Sequence, residues 1–456
     1  MDTTLQIESA AYGSERYAQR VNPEWVRLLD LLQMNVRYER CMGVELFTAE
    51  GERILDFLSG YCVHNVGHNH PDVVRALQNE LERCGPAMIQ THVADLAGEL
   101  AEKLCARAGG RLAKVFFASS GSEGVEAAIK FARAHTRRAA ILSAEHAFHG
   151  LTCGALSLMS DEFWSEGFGP LLADTAAVGF GDMAALEREL KTKRFAAFIV
   201  EPIQSEAGVC VPHPDYLRTA ESLCRRYGTL FVLDEVQTGM YRTGPFLAGH
   251  HFGVEPDMVV MAKAMSGGLV PCGAVLMSDA VCHSVYSSLP RAFVHTSTFS
   301  ENSLAMRAAL STLAVLENEE LGERSIEAGS YLQARLTDAL RDFEMVKEIR
   351  GMGLLMGIEF KAPTSLRLRI PYQAFAAVHP AMFGQIVVMR LFRDSGFLTQ
   401  ICGNNFMVLK VAPPLVVTDE QLDAFVSAVR DVVELAHSPG AFWSEALGLA
   451  RRAFRG

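Results

Sequence analysis

Short unbroken apolar runs alternate along this chain with segments whose apolar residues recur every three to four positions. The runs at 114–118, 139–143, 195–200, 229–234, 257–262 and 272–278 are built largely from Val, Leu, Ile, Phe, Met and Ala. Such runs predict strands covered on both faces, the condition of a mostly parallel sheet. Helical spacing marks 23–32, where Trp25, Leu28, Leu29, Leu31 and Leu32 share one side, and also 72–83 and 119–133. Strands alternating with helices predict an α/β fold. Residues 43–58 alternate around the turn Ala49-Glu50-Gly51 and predict a hairpin. From about residue 316 the pattern changes to a charged helix, a glycine-marked stretch at 346–360, and a strand at 404–415 that carries Lys410. This reads as a separate α+β lobe. The tail from Pro439 sets Phe442, Trp443, Leu447, Leu449 and Phe454 beside Arg451, Arg452 and Arg455, and predicts a docking helix.

Composition narrows the possibilities. With 456 residues, 49% of them apolar, the chain can bury a substantial core and form two domains or one with a lobe. A net charge of −11 and the absence of like-charged runs argue against a nucleic-acid surface. No stretch reaches the ~18 to 20 uninterrupted apolar residues of a membrane span. The first residues carry acids and lack an apolar core segment, so the expected location is cytoplasmic. Ten cysteines without paired spacing read as reduced, mostly buried thiols. His64, His68 and His70 are spaced suggestively for a metal. A turn that opens into a helix with Pro71 at its start accounts for them without one.

The chemistry collects where predicted strands end. Asp234 and Lys263 each close an apolar run, at the sheet edge where open α/β folds bind ligands. A salt bridge is one reading of that pair. The other is pyridoxal phosphate (PLP), with Lys263 as its covalent anchor and Asp234 keeping the pyridine nitrogen protonated so that the ring can accept an electron pair. Val236 would pack on the ring and Gln237 would meet its phenolic oxygen. Ser120, Gly121 and Ser122 form a small-residue turn opening into a helix, a ready phosphate site. The plain alternative is an N-cap, and the spacing is not that of a dinucleotide loop. Phe148, and less so His149, lies where an aromatic could stack on a flat ring. Glu201 and Glu206 follow the run at 195–200, and Thr298 offers a second hydroxyl for a phosphate.

Taken in order, Ser120-Gly-Ser122 before a helix, Phe148-His-Gly150, Glu201-Pro-Ile-Gln204, Leu233-Asp-Glu-Val-Gln-Thr-Gly239, Ala262-Lys-Ala264 and Thr296-Ser-Thr-Phe299 resemble the class III aminotransferases, PLP enzymes of fold type I, over residues 40 to 435. The likeness is nearest to the putrescine, ornithine and acetylornithine branch. It implies a large PLP-binding domain, 71–315, with a mostly parallel seven-stranded sheet. It also implies a smaller α+β domain, 316–456, joined by an N-terminal arm and part of the small domain at 1–70. A homodimer is implied, in which Thr298 reaches the neighbouring subunit's phosphate. The implied reaction is ping-pong transamination from a primary amine to an oxo-acid, with Lys263 as anchor and general acid/base.

Departures from the pattern bear on the substrate. Leu151 stands where ornithine-type relatives carry a basic residue for an α-carboxylate. Lys410 replaces an arginine that binds the oxo-acid and pairs with a glutamate matching Glu206. Tyr61 resembles an aromatic that lines the substrate pocket in ω-transaminases, with simple core packing the alternative, and Ser300-Glu301 replaces a Gly-Gly pair. The expectation is an ω-aminotransferase acting on a diamine or ω-amino acid, with 2-oxoglutarate or pyruvate as acceptor. A PLP isomerase or lyase on the same fold is the alternative.

Overall fold

The structure, a computed structural model, describes residues 10–89, 91–376, 382–438 and 440–454. The apolar runs become the strands of one seven-stranded sheet: β4 (Leu112–Ala118), β5 (Ala140–Ala144), β6 (Thr175–Val178), β7 (Phe195–Val200), β8 (Leu230–Asp234), β9 (Met258–Met261) and β10 (Gly273–Ser278). The spatial order is β4-β10-β9-β8-β7-β5-β6. All neighbours are parallel except β10, which runs antiparallel to both β4 and β9. Every residue of β5, β7, β8 and β9 is buried, because helices cover both faces and separate an upper core from a lower one. The register aligns strand ends: Val200 lies opposite Leu233, and Asp234 opposite Val260. The loops leaving β5, β7, β8 and β9 therefore converge on one edge.

Two smaller sheets complete the molecule. The expected hairpin forms from β2 (Glu45–Thr48) and β3 (Arg53–Asp56), with β1 (Tyr38–Met42) outside it. On its other side β3 pairs in parallel with the two-residue strand β13 (Phe397–Leu398), far along the chain. The third sheet has the order β11-β12-β15-β14, formed by Val346–Met352, Leu355–Phe360, Asn405–Val411 and Gln400–Cys402 respectively. Lys410 sits within β15 opposite Gly357.

Local signals set the helix ends. Pro71 opens the helix Pro71–Glu82, and Ser120 caps Gly121–Thr136 by accepting from the Glu123 N–H at 3.2 Å. The tail forms the helix Ala441–Phe454, which buries Phe442, Trp443 and Leu449; Pro439 and Arg455 lie outside the described residues. His68 and His70 are partnered by Asp56 and Glu319, at 2.7 and 3.0 Å. Of the ten thiols only four are buried, and Cys84 and Cys153 reach the surface, so the expectation of mostly buried thiols was wrong. Arg242 is fully buried with no carboxylate bonded to it; it donates to the Leu354 carbonyl, Ser59 Oγ and Asn65 Oδ1, tying three distant segments together. Among the described residues no helix is long and apolar enough to cross a membrane.

Candidate active site

At the edge where the strand ends converge lies a cavity of about 420 Å³. Its lining includes Ser120, Gly121, Ser122, Phe148, His149, Asp234, Val236, Gln237 and Lys263, which the sequence places on four separate segments. Asp234 ends β8, and Lys263 follows β9 with a left-handed backbone, φ 48°. Asp234 accepts from the Val236 N–H at 3.1 Å and from His149 Nδ1 at 2.7 Å. Burial pulls the His149 pKa down, but the hydrogen bond to Asp234 and its charge, with Glu201 behind, carry it above the ordinary value. His149 is thereby fixed against Asp234 at the cavity wall.

The Lys263 amine makes no hydrogen bond among the described residues, and burial lowers its pKa against the pull of Glu206. That is the state a nucleophilic amine requires. Two glycines give the pocket its shape. A Cβ on Gly121 would lie 2.9 Å from Val236 Cγ2; on Gly150, where φ is +115°, it would lie 2.1 Å from Ser122 Oγ. The first turn of the helix Gly121–Thr136 leaves free N–H groups at the cavity wall, fit for an anion. The buried Gln237 Oε1 and His149 Nε2 have no partner among the described residues. An amine, a fixed carboxylate, an anion-binding helix start, an aromatic wall and an open amide oxygen suit a phosphorylated pyridine aldehyde.

Behind the cavity lining, joined to it through Gln237, is an ion pair. Lys410, with no exposed surface, bonds the buried Glu206, which also accepts from Gln237 Nε2 at 3.1 Å and from the Gly403 N–H at 2.8 Å. Burial alone would raise the Glu206 carboxyl; Lys410 outweighs it and holds the pKa at about 2. Lys410 is raised in turn by Glu206 against its own burial. Its Nζ lies 5.2 Å from the centroid of the Tyr61 ring, a cation–π contact. Leu151 is exposed.

Glu201, given no role from the sequence, also lines the cavity. It accepts from the N–H groups of Phe148 at 3.0 Å and Ser205 at 3.3 Å, and burial, with Asp234 adding to it, lifts its pKa to about 7. An acid directly after a buried strand is the signal that could have found it. Thr298 is not brought to this cavity. It lines a separate groove of about 570 Å³ with Met88, Ile89, His295 and Glu301.

A family model described as aminotransferase class-III matches residues 30–433. The chain is 36% identical over 451 residues to aminotransferase PigE of Serratia sp., covering 92% of this chain but only 53% of that longer protein. It is 36% identical over 398 residues to putrescine aminotransferase of Pectobacterium atrosepticum, covering 85% of this chain and 80% of that one. The ornithine aminotransferase of Toxoplasma gondii ME49 superposes with a TM-score of 0.83 at 29% identity, covering 95% and 97% of the two chains. The match across most of the chain, joined to a cavity whose residues suit the cofactor, places this protein among the PLP-dependent class III aminotransferases.

Proposed function

We propose that the protein is an ω-aminotransferase that moves the amino group of a terminal primary amine, a diamine or ω-amino acid, to 2-oxoglutarate or pyruvate in two alternating half-reactions. The observation that carries this reading is the buried Glu206–Lys410 pair beside the reactive amine. A carboxylate-bearing oxo-acid can take Lys410 from Glu206, and a diamine, which brings no carboxylate, leaves the pair closed. Lysine serves as a point charge here, without the two-pronged grip of arginine. The exposed Leu151 offers no cation to an α-carboxylate, which favours donors that lack one. The likeness to a putrescine aminotransferase accords with a diamine.

When bound, PLP supplies an electron sink for the pair released as a substrate C–H bond breaks. Lys263 would hold the cofactor through Nζ and carry the proton to and from the substrate carbon. Asp234, oriented by His149 and the Val236 N–H, would keep the ring nitrogen protonated. Phe148 and Val236 would flank the ring and Gln237 would bond its phenolic oxygen. Ser120, Gly121 and Ser122 would hold the phosphate. Ser120 Oγ accepts from the Glu123 N–H in its cap, which leaves its O–H to donate to the phosphate. Thr298 would complete the phosphate site of a neighbouring subunit in a homodimer. The reading includes the division at 1–70, 71–315 and 316–456, and a cytoplasmic location.

A panel of half-reactions tests it. Terminal diamines and ω-amino acids are expected to bleach the visible absorbance of the PLP-loaded protein, and 2-oxoglutarate or pyruvate to restore it. Bleaching by α-amino acids alone would overturn the donor class, and turnover of an amine without consumption of any oxo-acid would point to an isomerase.

A further inference from the structure

The Glu206–Lys410 pair is held from a direction that the reaction itself does not require. The turn Gly403-Asn404 joins β14 to β15, and its backbone grips Glu206 twice: the Gly403 N–H donates to Oε2 at 2.8 Å, and the Asn404 N–H donates to the Glu206 carbonyl at 2.9 Å. That turn is pinned in its turn to the other side of the cavity. Asn404 Nδ2 donates to the His146 carbonyl at 2.8 Å, two residues before Phe148, and Asn404 Oδ1 accepts from Trp164 Nε1 at 2.6 Å. The Trp164 ring meets the Phe148 ring edge-on at 5.2 Å. The fit leaves no slack. A Cβ on Gly403 would come within 3.0 Å of Trp164 Cζ2 and 3.1 Å of Glu206 Oε2.

We propose that Trp164 and Asn404 form a strut that positions the Glu206 carboxylate and thereby sets how readily Lys410 is given up to an incoming carboxylate. This rests on the reading of Lys410 as the oxo-acid's partner. Glu206 is stabilised by three kinds of donor: the Lys410 ammonium, the Gln237 amide and the Gly403 N–H. An incoming carboxylate competes only for the first. With the strut in place, the other two still satisfy Glu206 after Lys410 leaves. Without it the turn is free to drift, the Gly403 N–H is lost, and Glu206 competes harder for Lys410 because an unpartnered buried carboxylate is costly. Carboxylate binding therefore weakens although neither Trp164 nor Asn404 touches the ligand. They are positioning residues.

The test measures binding of glutarate, a non-reacting dicarboxylate, to the PLP-loaded protein by calorimetry. Trp164→Phe keeps the ring against Phe148 and deletes only the N–H donor; Asn404→Ala removes both side-chain bonds. Each is expected to raise the Kd about fivefold, equivalent to about 1 kcal/mol, while the rate of the amine half-reaction stays within about twofold, since only hydrogen bonds of the strut are lost. Lys410→Gln is expected to weaken glutarate more, and adding Trp164→Phe to it to change nothing further. If Lys410→Gln weakens binding but both strut variants bind glutarate like the parent, the strut is overturned and the Lys410 reading stands. If Lys410→Gln leaves binding unchanged, the Lys410 reading fails and the strut with it. An equal effect of Trp164→Phe with and without Lys410 would also overturn the proposal, as it would mark a general loosening of the fold.

Discussion

Lys410 and Glu206 bring two opposite charges into a place with almost no water, and each is tolerable only because of the other. The pH dependence follows from the direction of the Glu206 shift. Its folded pKa, about 2, lies below the ordinary ~4.3 of an unfolded glutamate. The stability it contributes is therefore complete above the unfolded value and drains away as pH falls toward 2. Lys410→Gln removes the cause, and burial then raises the carboxyl instead. The variant is expected to be less stable than the parent near neutral pH, with the gap narrowing as pH falls from neutrality toward 2, because the variant's buried carboxyl takes up its proton above the ordinary ~4.3 and the parent's only near 2. Urea unfolding between pH 7 and pH 3 checks this; a gap that widens with acid would contradict the assignment. At this scale the sequence was most informative where a side chain closes an apolar run. Asp234 and Lys263 were legible for that reason, and Glu206 and Lys410 through the family pattern. The partner of His149 was not, because a hydrogen bond between residues 149 and 234 leaves no trace in spacing, and neither Trp164 nor Asn404 belongs to any periodic pattern.

Among the elements, the tail helix Ala441–Phe454 shows how a segment beyond the family match is held. Trp443 is buried, stacks on Phe383 with centroids 6.2 Å apart, and donates to the Ala436 carbonyl at 3.0 Å; Glu445 pairs with Arg390 and Arg393. Trp443→Ala would leave a cavity where an indole was and is expected to destabilise the protein by about 3–5 kcal/mol. Denaturant unfolding of parent and variant measures it; a loss below about 1 kcal/mol would mean that the helix is a loosely held appendage. Strand positions were readable because a run covered on both faces must be apolar throughout. Strand direction was not, since the antiparallel β10 is as apolar as its parallel neighbours and periodicity carries no sense of direction. β13, two residues long, is too short to leave a pattern.

For the whole molecule, the surface beside the Thr298 groove bears on assembly. Leu289 is 90% exposed, Val93 82% and Phe293 76%, near Met88 and Ile89 of the same groove. Apolar exposure of this kind is what the proposed dimer would cover. Phe293→Asp is expected to shift the protein toward the 49.9 kDa monomer in light scattering and to speed loss of PLP during dialysis, because Thr298 would no longer reach a neighbour's phosphate. Parent and variant with the same mass and the same retention would refute that assembly. The parallel pairing of β3 with β13 has a further consequence, for the order in which the protein is made. The residues that flank β3 at 53–56 emerge from the ribosome long before 397–398 do. Strand β3 must therefore wait, with that edge unpaired, until residues 397–398 have been made, and the open edge is a hazard for mispairing throughout that interval.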